Sequence, residues 1–122
     1  FVEQAQRIAV ALLEAAAHFG HRLPELFCGH AREQVGVPVP YPTSCSPQAW
    51  AAAAPLELLR ALLRLEPQVH RGRLRCAPVV PEQFLPLDLT GLRLGRSQVE
   101  LEVTTSGWRL DTLAGPALEL VE

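Results

Sequence analysis

Apolar residues at the start of the chain recur at helical spacing. They share one face, whereas charged residues lie on another, with Glu14 and His18 placed for a pair four residues apart. Gly20 follows as a C-terminal stop signal. The pattern therefore predicts an amphipathic helix over residues 1–19, and its apolar face consists of Ala5, Ile8, Leu12, Ala16 and Phe19.

A second helix is predicted over residues 48–65. Ser46 suits the N-cap and Pro47 the first helical position, and the helix ends before Pro67. Pro55 should kink it, because the proline ring clashes with the carbonyl four residues earlier. The first half is apolar almost all round, so we expect this helix to be buried on most sides.

The period of the pattern changes to alternation after Pro67, which indicates strands. The best example alternates apolar and acidic residues between Gln98 and Val103, and Gly95-Arg96 before it suits a two-residue hairpin turn. We expect four or five antiparallel strands with one polar face. The predicted features are a strand at 73–77, a bulge at Gly91, buried Val99, Leu101 and Val103, a solvated face with Glu100 and Glu102, a turn at Ser106-Gly107, Trp108 on the buried face or against the helices, and a last strand at 117–121.

These patterns predict an α+β chain. Residues 1–67 form its helical part, with a long loop at 20–46, and residues 68–122 form its antiparallel β segment. One partner helix cannot cover the predicted apolar helix at 48–65, so we expect the end of a larger helical protein. We expect the isolated chain to bury the apolar surface of that helix by self-association, by domain swapping or against the sheet.

Composition narrows the function classes. The chain has 122 residues, a net charge of −2, no Met and Phe1 at its start, so we expect an excised fragment with no affinity for nucleic acid. No apolar run is long enough to span a bilayer, and no signal peptide is visible. Three cysteines without paired spacing suit buried free thiols in a reducing compartment, which favours the cytoplasm.

One group of side chains has the composition of a metal site. His18, His21, Cys28 and His30 lie close in sequence, but their spacing fits no standard zinc module. We therefore predict no metal and no cofactor.

Three motifs together suggest a family. Arg22-Leu-Pro-Glu-Leu-Phe27, then Pro38-Val-Pro-Tyr-Pro42 and Ser46-Pro-Gln-Ala-Trp-Ala51, resemble the C-terminal end of bacterial glycogen-debranching enzymes of the amylo-α-1,6-glucosidase type. The resemblance extends through residues 58–65, 72–78 and 89–95. It implies the terminal helices of an (α/α)6 toroid followed by a small antiparallel sheet. It also implies a glycoside hydrolase acting on α-glucosidic bonds of glycogen-like or other oligosaccharides.

The resemblance aligns Glu25 with a general base, while the acid partner lies in upstream chain that is absent here. An inverting glycosidase needs both carboxyl groups, about 6.5–9.5 Å apart, so the chain alone should be inactive. Aromatic side chains suit the apolar faces of a sugar, and polar ones suit its hydroxyls. The candidate substrate-binding residues are Arg22, Phe27, Tyr41, Gln48 and Trp50.

Each candidate also has a simpler interpretation. Glu25 without the resemblance is a solvated or capping carboxylate, Phe27 a packing residue, Tyr41 a residue that fixes the loop, and Gln48 a surface residue. Trp50 suits a core or a sugar platform equally. The alternative functions are a non-catalytic carbohydrate-binding domain and a structural interaction segment.

Overall fold

The computed structural model describes residues 1–46 and 48–121. In these residues the chain is α+β, as predicted, with three α-helices and six strands in two three-stranded sheets. The helices are α1 (Val2–His18), α2 (Arg32–Val35) and α3 (Ala49–Leu63). The strands are β1 (Glu66–Gln68), β2 (Arg73–Arg75), β3 (Leu87–Leu94), β4 (Ser97–Thr104), β5 (Gly107–Ala114) and β6 (Glu119–Val121).

Two compact units divide the chain, and the division falls between Leu59 and Arg60, inside α3. The sequence placed the boundary at 67/68 instead. No helix in the described part of the chain is long and apolar enough to cross a membrane.

Helix α1 confirms the predicted first helix and its stop signal. The amide of Gly20 donates to the Ala17 carbonyl at 3.2 Å, and that of His21 to the Ala16 carbonyl at 2.6 Å. With Gly20 at φ +59°, these bonds form a Schellman cap. The predicted apolar face was partly wrong, because Ile8 is 56% exposed and the buried residues are Ala9, Ala15 and Ala16. Alanine residues occur on the predicted face and next to it, and both allow close approach of a neighbouring segment. Spacing alone therefore did not show which of these two faces is buried.

Helix α3 is buried on one face, not on most sides as predicted. Ala51, Leu62 and Leu63 are buried, whereas Trp50 is 63% and Leu56 70% exposed. The first helical hydrogen bond runs from the Ala52 amide to the Gln48 carbonyl. The N-cap position therefore belongs to Gln48 and not to Ser46. The predicted role of Pro47 lies outside the described residues, and the helix continues through Pro55.

The hairpin sheet has the order β3-β4-β5 and is antiparallel throughout. Val99, Leu101 and Val103 are at most 5% exposed, which confirms the predicted alternation along β4. The turn at Gly95-Arg96 and the irregularity around Gly91 are also confirmed. The second turn was misplaced by one residue, because Thr104 pairs with Gly107 and residues 105–106 form the turn.

The other sheet has the order β1-β2-β6, and its last strand departs from the prediction. β6 follows the hairpin sheet in the chain and pairs with β2 in parallel. The whole hairpin sheet lies between these two strands, and parallel strands need such a long connection. An Arg73–Glu119 ion pair of 2.9 Å joins these strands. Pro67, expected only to end a helix, lies in β1 at the sheet edge, where a missing amide hydrogen is tolerated.

Candidate functional site

The connection between α1 and α3 is an ordered loop that folds back on itself. The Cys28 amide donates to the Val39 carbonyl, and the Tyr41 amide donates to the Leu26 carbonyl, each at 2.9 Å. These bonds flank an antiparallel bridge between Phe27 and Pro40. The loop thus resembles a short irregular hairpin, although its prolines exclude a regular ladder.

Glu25 closes the base of this hairpin. Its amide donates to the Cys45 carbonyl at 3.2 Å, and its Oε2 accepts a hydrogen bond from the Cys45 amide at 3.1 Å. Glu25 is half-buried. The carboxylate therefore ties the Leu-Pro-Glu-Leu segment to the residues that precede α3, in a fixed position.

Helix α1 anchors the tip of the hairpin through α2. Arg32 Nη1 lies 2.6 Å from Glu14 Oε2, with both side chains about half exposed. The sequence paired Glu14 with His18, because only local spacing was visible. Arg32 is 18 residues away, and no sequence signal indicated this contact.

Arg22 and Gln48 line one pocket of about 220 Å³, together with His21, Leu23 and Ala52. The side chain of Gln48 is held at the start of α3, because its Oε1 accepts a hydrogen bond from the Ala49 amide at 2.8 Å. His21 has φ +64°, a conformation uncommon for residues other than glycine. The structure thus brings together two predicted substrate-binding residues and adds His21, which the sequence indicated only as a member of the histidine and cysteine group. Glu25 is not among the residues that line this pocket.

Phe27 lies in a different place, on the small apolar cluster of the helical unit. It packs against Ala15, Ala16, Leu23 and Ala51, and its ring centre lies 5.9 Å from that of Phe19. This environment matches the packing interpretation of Phe27. It also lines a second cavity of about 220 Å³, whose other members include Leu12, Cys28, His30, Arg32 and Val39.

The two remaining aromatic candidates are open to solvent. Tyr41 is 49% exposed, and its carbonyl accepts the Ser44 amide hydrogen at 2.9 Å within the loop. Trp50 is 63% exposed on the first turn of α3. Trp50 therefore lies outside the core of the described residues, and its indole face is available to a ligand or to a protein surface.

The cysteines and histidines form no metal centre in the described residues, since no group of three or more His, Cys, Asp or Glu is placed to hold an ion. All three cysteines are free thiols. The expectation that all are buried was wrong, because Cys45 is exposed and Cys28 only partly covered. Cys76 is buried, and this burial raises the pKa of its thiol to about 11, which makes it a poor nucleophile at neutral pH.

Comparison with known proteins gives no match to any family model, curated protein or solved structure.

Proposed function

We propose that the chain is the C-terminal part of a glycoside hydrolase of the amylo-α-1,6-glucosidase type, acting on α-glucosidic bonds of glycogen-like or other oligosaccharides. In this proposal α1 and α3 are the last helices of an (α/α)6 toroid. Glu25 is the general base, and the general acid comes from upstream chain. The proposed enzyme is cytoplasmic and needs no cofactor, and the three free thiols suit that compartment.

One observation carries the proposal. Glu25, in the first of the three motifs, is 20 residues from Cys45, which directly precedes the third, and two hydrogen bonds join these two residues. Arg22 of the first motif and Gln48 of the third line one pocket. A base must be held in a fixed orientation, and the Cys45 amide that donates to Oε2 restrains the Glu25 carboxylate.

The chemistry assigned to Glu25 is the activation of water. Its carboxylate removes a proton from a water molecule as the oxygen attacks the anomeric carbon, while the acid protonates the leaving oxygen. Arg22 and Gln48 are proposed to bind sugar hydroxyls, and Tyr41 and Trp50 to contact apolar sugar faces. Phe27 then supports this site by packing.

The exposed apolar side chains of α3 have a place in this proposal. Trp50 and Leu56 would lie against other toroid helices or the substrate in the whole enzyme. In the isolated chain the same side chains are expected to promote self-association.

The same hydrogen bond also favours a second candidate, a purely structural role. If Glu25 serves only to close the loop, then the segment is a non-catalytic carbohydrate-binding or interaction element. The two roles differ in what a substitution removes. Glu25→Gln keeps an acceptor oxygen for the Cys45 amide but removes the base, whereas Glu25→Ala removes both.

The test uses the longer parent enzyme with each of these variants. We expect Glu25→Gln to lower turnover on a branched α-glucan by a factor of about 10² or more. Its melting temperature and the hydrogen-exchange protection of the Cys45 amide should stay close to those of the wild type. Normal turnover in Glu25→Gln, with lost protection only in Glu25→Ala, would establish the structural role instead.

The 122-residue chain alone provides a further check. It should release no glucose from a branched α-glucan, because it lacks the acid. Glucose release by the pure chain would contradict the proposed division of the two carboxyl groups.

A further inference from the structure

Strand β5 is an open edge of the hairpin sheet. Its pairing with β4 is continuous from Gly107 to Thr112, and a register shift follows between Thr112 and Ala114. Among the described strands none pairs with its outer side. The opposite edge, β3, has its register shift in the middle of the strand, between Leu89 and Leu92. A bulge protects an edge from further pairing, so the run from Gly107 to Thr112 is the longest regular stretch of edge in this sheet that can accept another strand.

The outward-pointing backbone groups of β5 can be assigned. Thr104 Oγ1 donates to the Gly107 carbonyl at 3.0 Å, so this carbonyl faces β4. Because the direction of backbone groups alternates along a strand, those of Arg109 and Asp111 also face β4. The amide and carbonyl groups of Trp108, Leu110 and Thr112 therefore point away from the sheet.

The apolar face of the sheet is incomplete at this edge. Trp108, Leu110 and Thr112 are the register partners of Val103, Leu101 and Val99. The β4 residues are at most 5% exposed, whereas Trp108 is 41% exposed. An added strand would continue the apolar row and cover the side chains of β5.

We propose that the occupant of this edge is β5 of a second copy, paired antiparallel about a two-fold axis at Leu110. The two three-stranded sheets then form one continuous sheet across the dimer. Trp108 lies opposite Thr112 of the second copy, and Leu110 lies opposite its own counterpart.

Charge complementarity selects this register. Arg109 and Asp111 flank Leu110 on the polar face, and Arg109 Nε lies 3.2 Å from Asp111 Oδ2 within one chain. In the proposed pairing each Arg109 faces Asp111 of the second copy, in both directions. A two-fold axis at Arg109 or at Asp111 would instead place like charges directly opposite, which is destabilising. This inference does not depend on the proposed glycosidase activity.

Cross-linking tests the register. In a Cys28→Ser/Cys45→Ser background, which retains the buried Cys76, Leu110→Cys places two thiols on the two-fold axis. The Cα atoms of such a hydrogen-bonded pair lie about 5.5 Å apart, within disulfide reach of about 4.4–6.8 Å. Leu113→Cys is the matched control, because Leu113 is 53% exposed but lies about 20 Å from its counterpart in this register.

We expect oxidation to give a disulfide-linked dimer with Leu110→Cys and none with Leu113→Cys. Equal cross-linking of the two variants, or none by Leu110→Cys, would overturn the proposal. Self-association through α3 would not produce this difference, so the two surfaces are distinguishable.

Sedimentation of the same chain without cross-links tests the charge argument. Arg109→Asp should weaken dimerisation at least tenfold, whereas Arg93→Asp, a charge change of the same size on the opposite edge strand β3, should not. Thr112→Pro should also weaken it, since this proline removes an outward amide hydrogen and leaves the bonds to β4 intact. A wild-type monomer at about 100 µM, where a dimer with a Kd of about 1 µM would be almost fully formed, would overturn the proposal, as would an unchanged dimer in Arg109→Asp.

Discussion

A methyl group added at Gly95, in the turn between β3 and β4, would collide with the side chain of Val69. Gly95 has φ +64°, and a Cβ there would lie 2.3 Å from Val69 Cγ1. Placing alanine in the left-handed region costs about 1 kcal/mol. Overpacking against a side chain with a stiff χ1 adds about 1–3 kcal/mol. We therefore expect Gly95→Ala to lower the free energy of unfolding by about 2–4 kcal/mol.

Most of this cost should disappear when Val69 is shortened. Val69→Ala removes Cγ1, and the next atom, Val69 Cβ, lies at 3.6 Å, an ordinary contact distance. In that background Gly95→Ala should cost only the backbone term of about 1 kcal/mol. Gly72→Ala is the matched control, because Gly72 has φ +65° but an added Cβ meets no atom within 4 Å.

Denaturant unfolding of the four variants of this cycle gives the coupling energy directly. We expect a coupling of about 1–3 kcal/mol between positions 69 and 95 and none between 69 and 72. A Gly95→Ala cost no larger than that of Gly72→Ala would refute the packing of this turn. An equal loss of unfolding free energy from Gly95→Ala in the wild-type and Val69→Ala backgrounds would also refute this packing.

Two further predictions concern the β unit. Leu101→Ala should lower the free energy of unfolding by about 2–5 kcal/mol, because Leu101 is fully buried. Trp108→Ala should lower it by less, because Trp108 is 41% exposed. Equal losses in denaturant unfolding would contradict this difference in burial. Burial raises the pKa of the Cys76 thiol from 9.0 to about 11, so the stability present below pH 9 falls by about 3 kcal/mol as the pH rises through 11. Cys76→Val should flatten the fall of stability between pH 9 and 11, and an unchanged slope would show that other groups cause it.

The sequence predicted elements wherever a local period was unambiguous. Alternation along β4 located its buried face because a one-residue shift would bury Glu100 and Glu102. Gly95 located the turn because a hairpin of this length needs a positive φ. Helix α1 ended where Gly20 indicated, for the same conformational reason.

The failures have a common physical cause, which is that tertiary contacts decided between locally equivalent choices. The apolar pattern of α3 could not show that Trp50 and Leu56 remain exposed. The parallel pairing of β6 with β2 depends on where a long connection leads. β1 contains Pro67, which reads as a terminator in sequence but is tolerated at a sheet edge.

The candidate site was anticipated in part. Arg22 and Gln48 do share a pocket, but the contact of Glu25 with Cys45 involves a backbone amide, which has no sequence signal. The Arg32–Glu14 pair was missed because it joins a loop tip to a helix 18 residues away. Such contacts depend on loop conformation and not on residue spacing.

Chemical rescue of Glu25→Ala in the proposed parent glycosidase tests the proposed role of Glu25 most directly. A small anion such as azide needs no general base, so it can attack the anomeric carbon in place of activated water. We predict a variant with turnover reduced by a factor of about 10² or more, restored by azide with a glycosyl azide as product. Wild-type turnover without azide would contradict the assignment of Glu25 as the base.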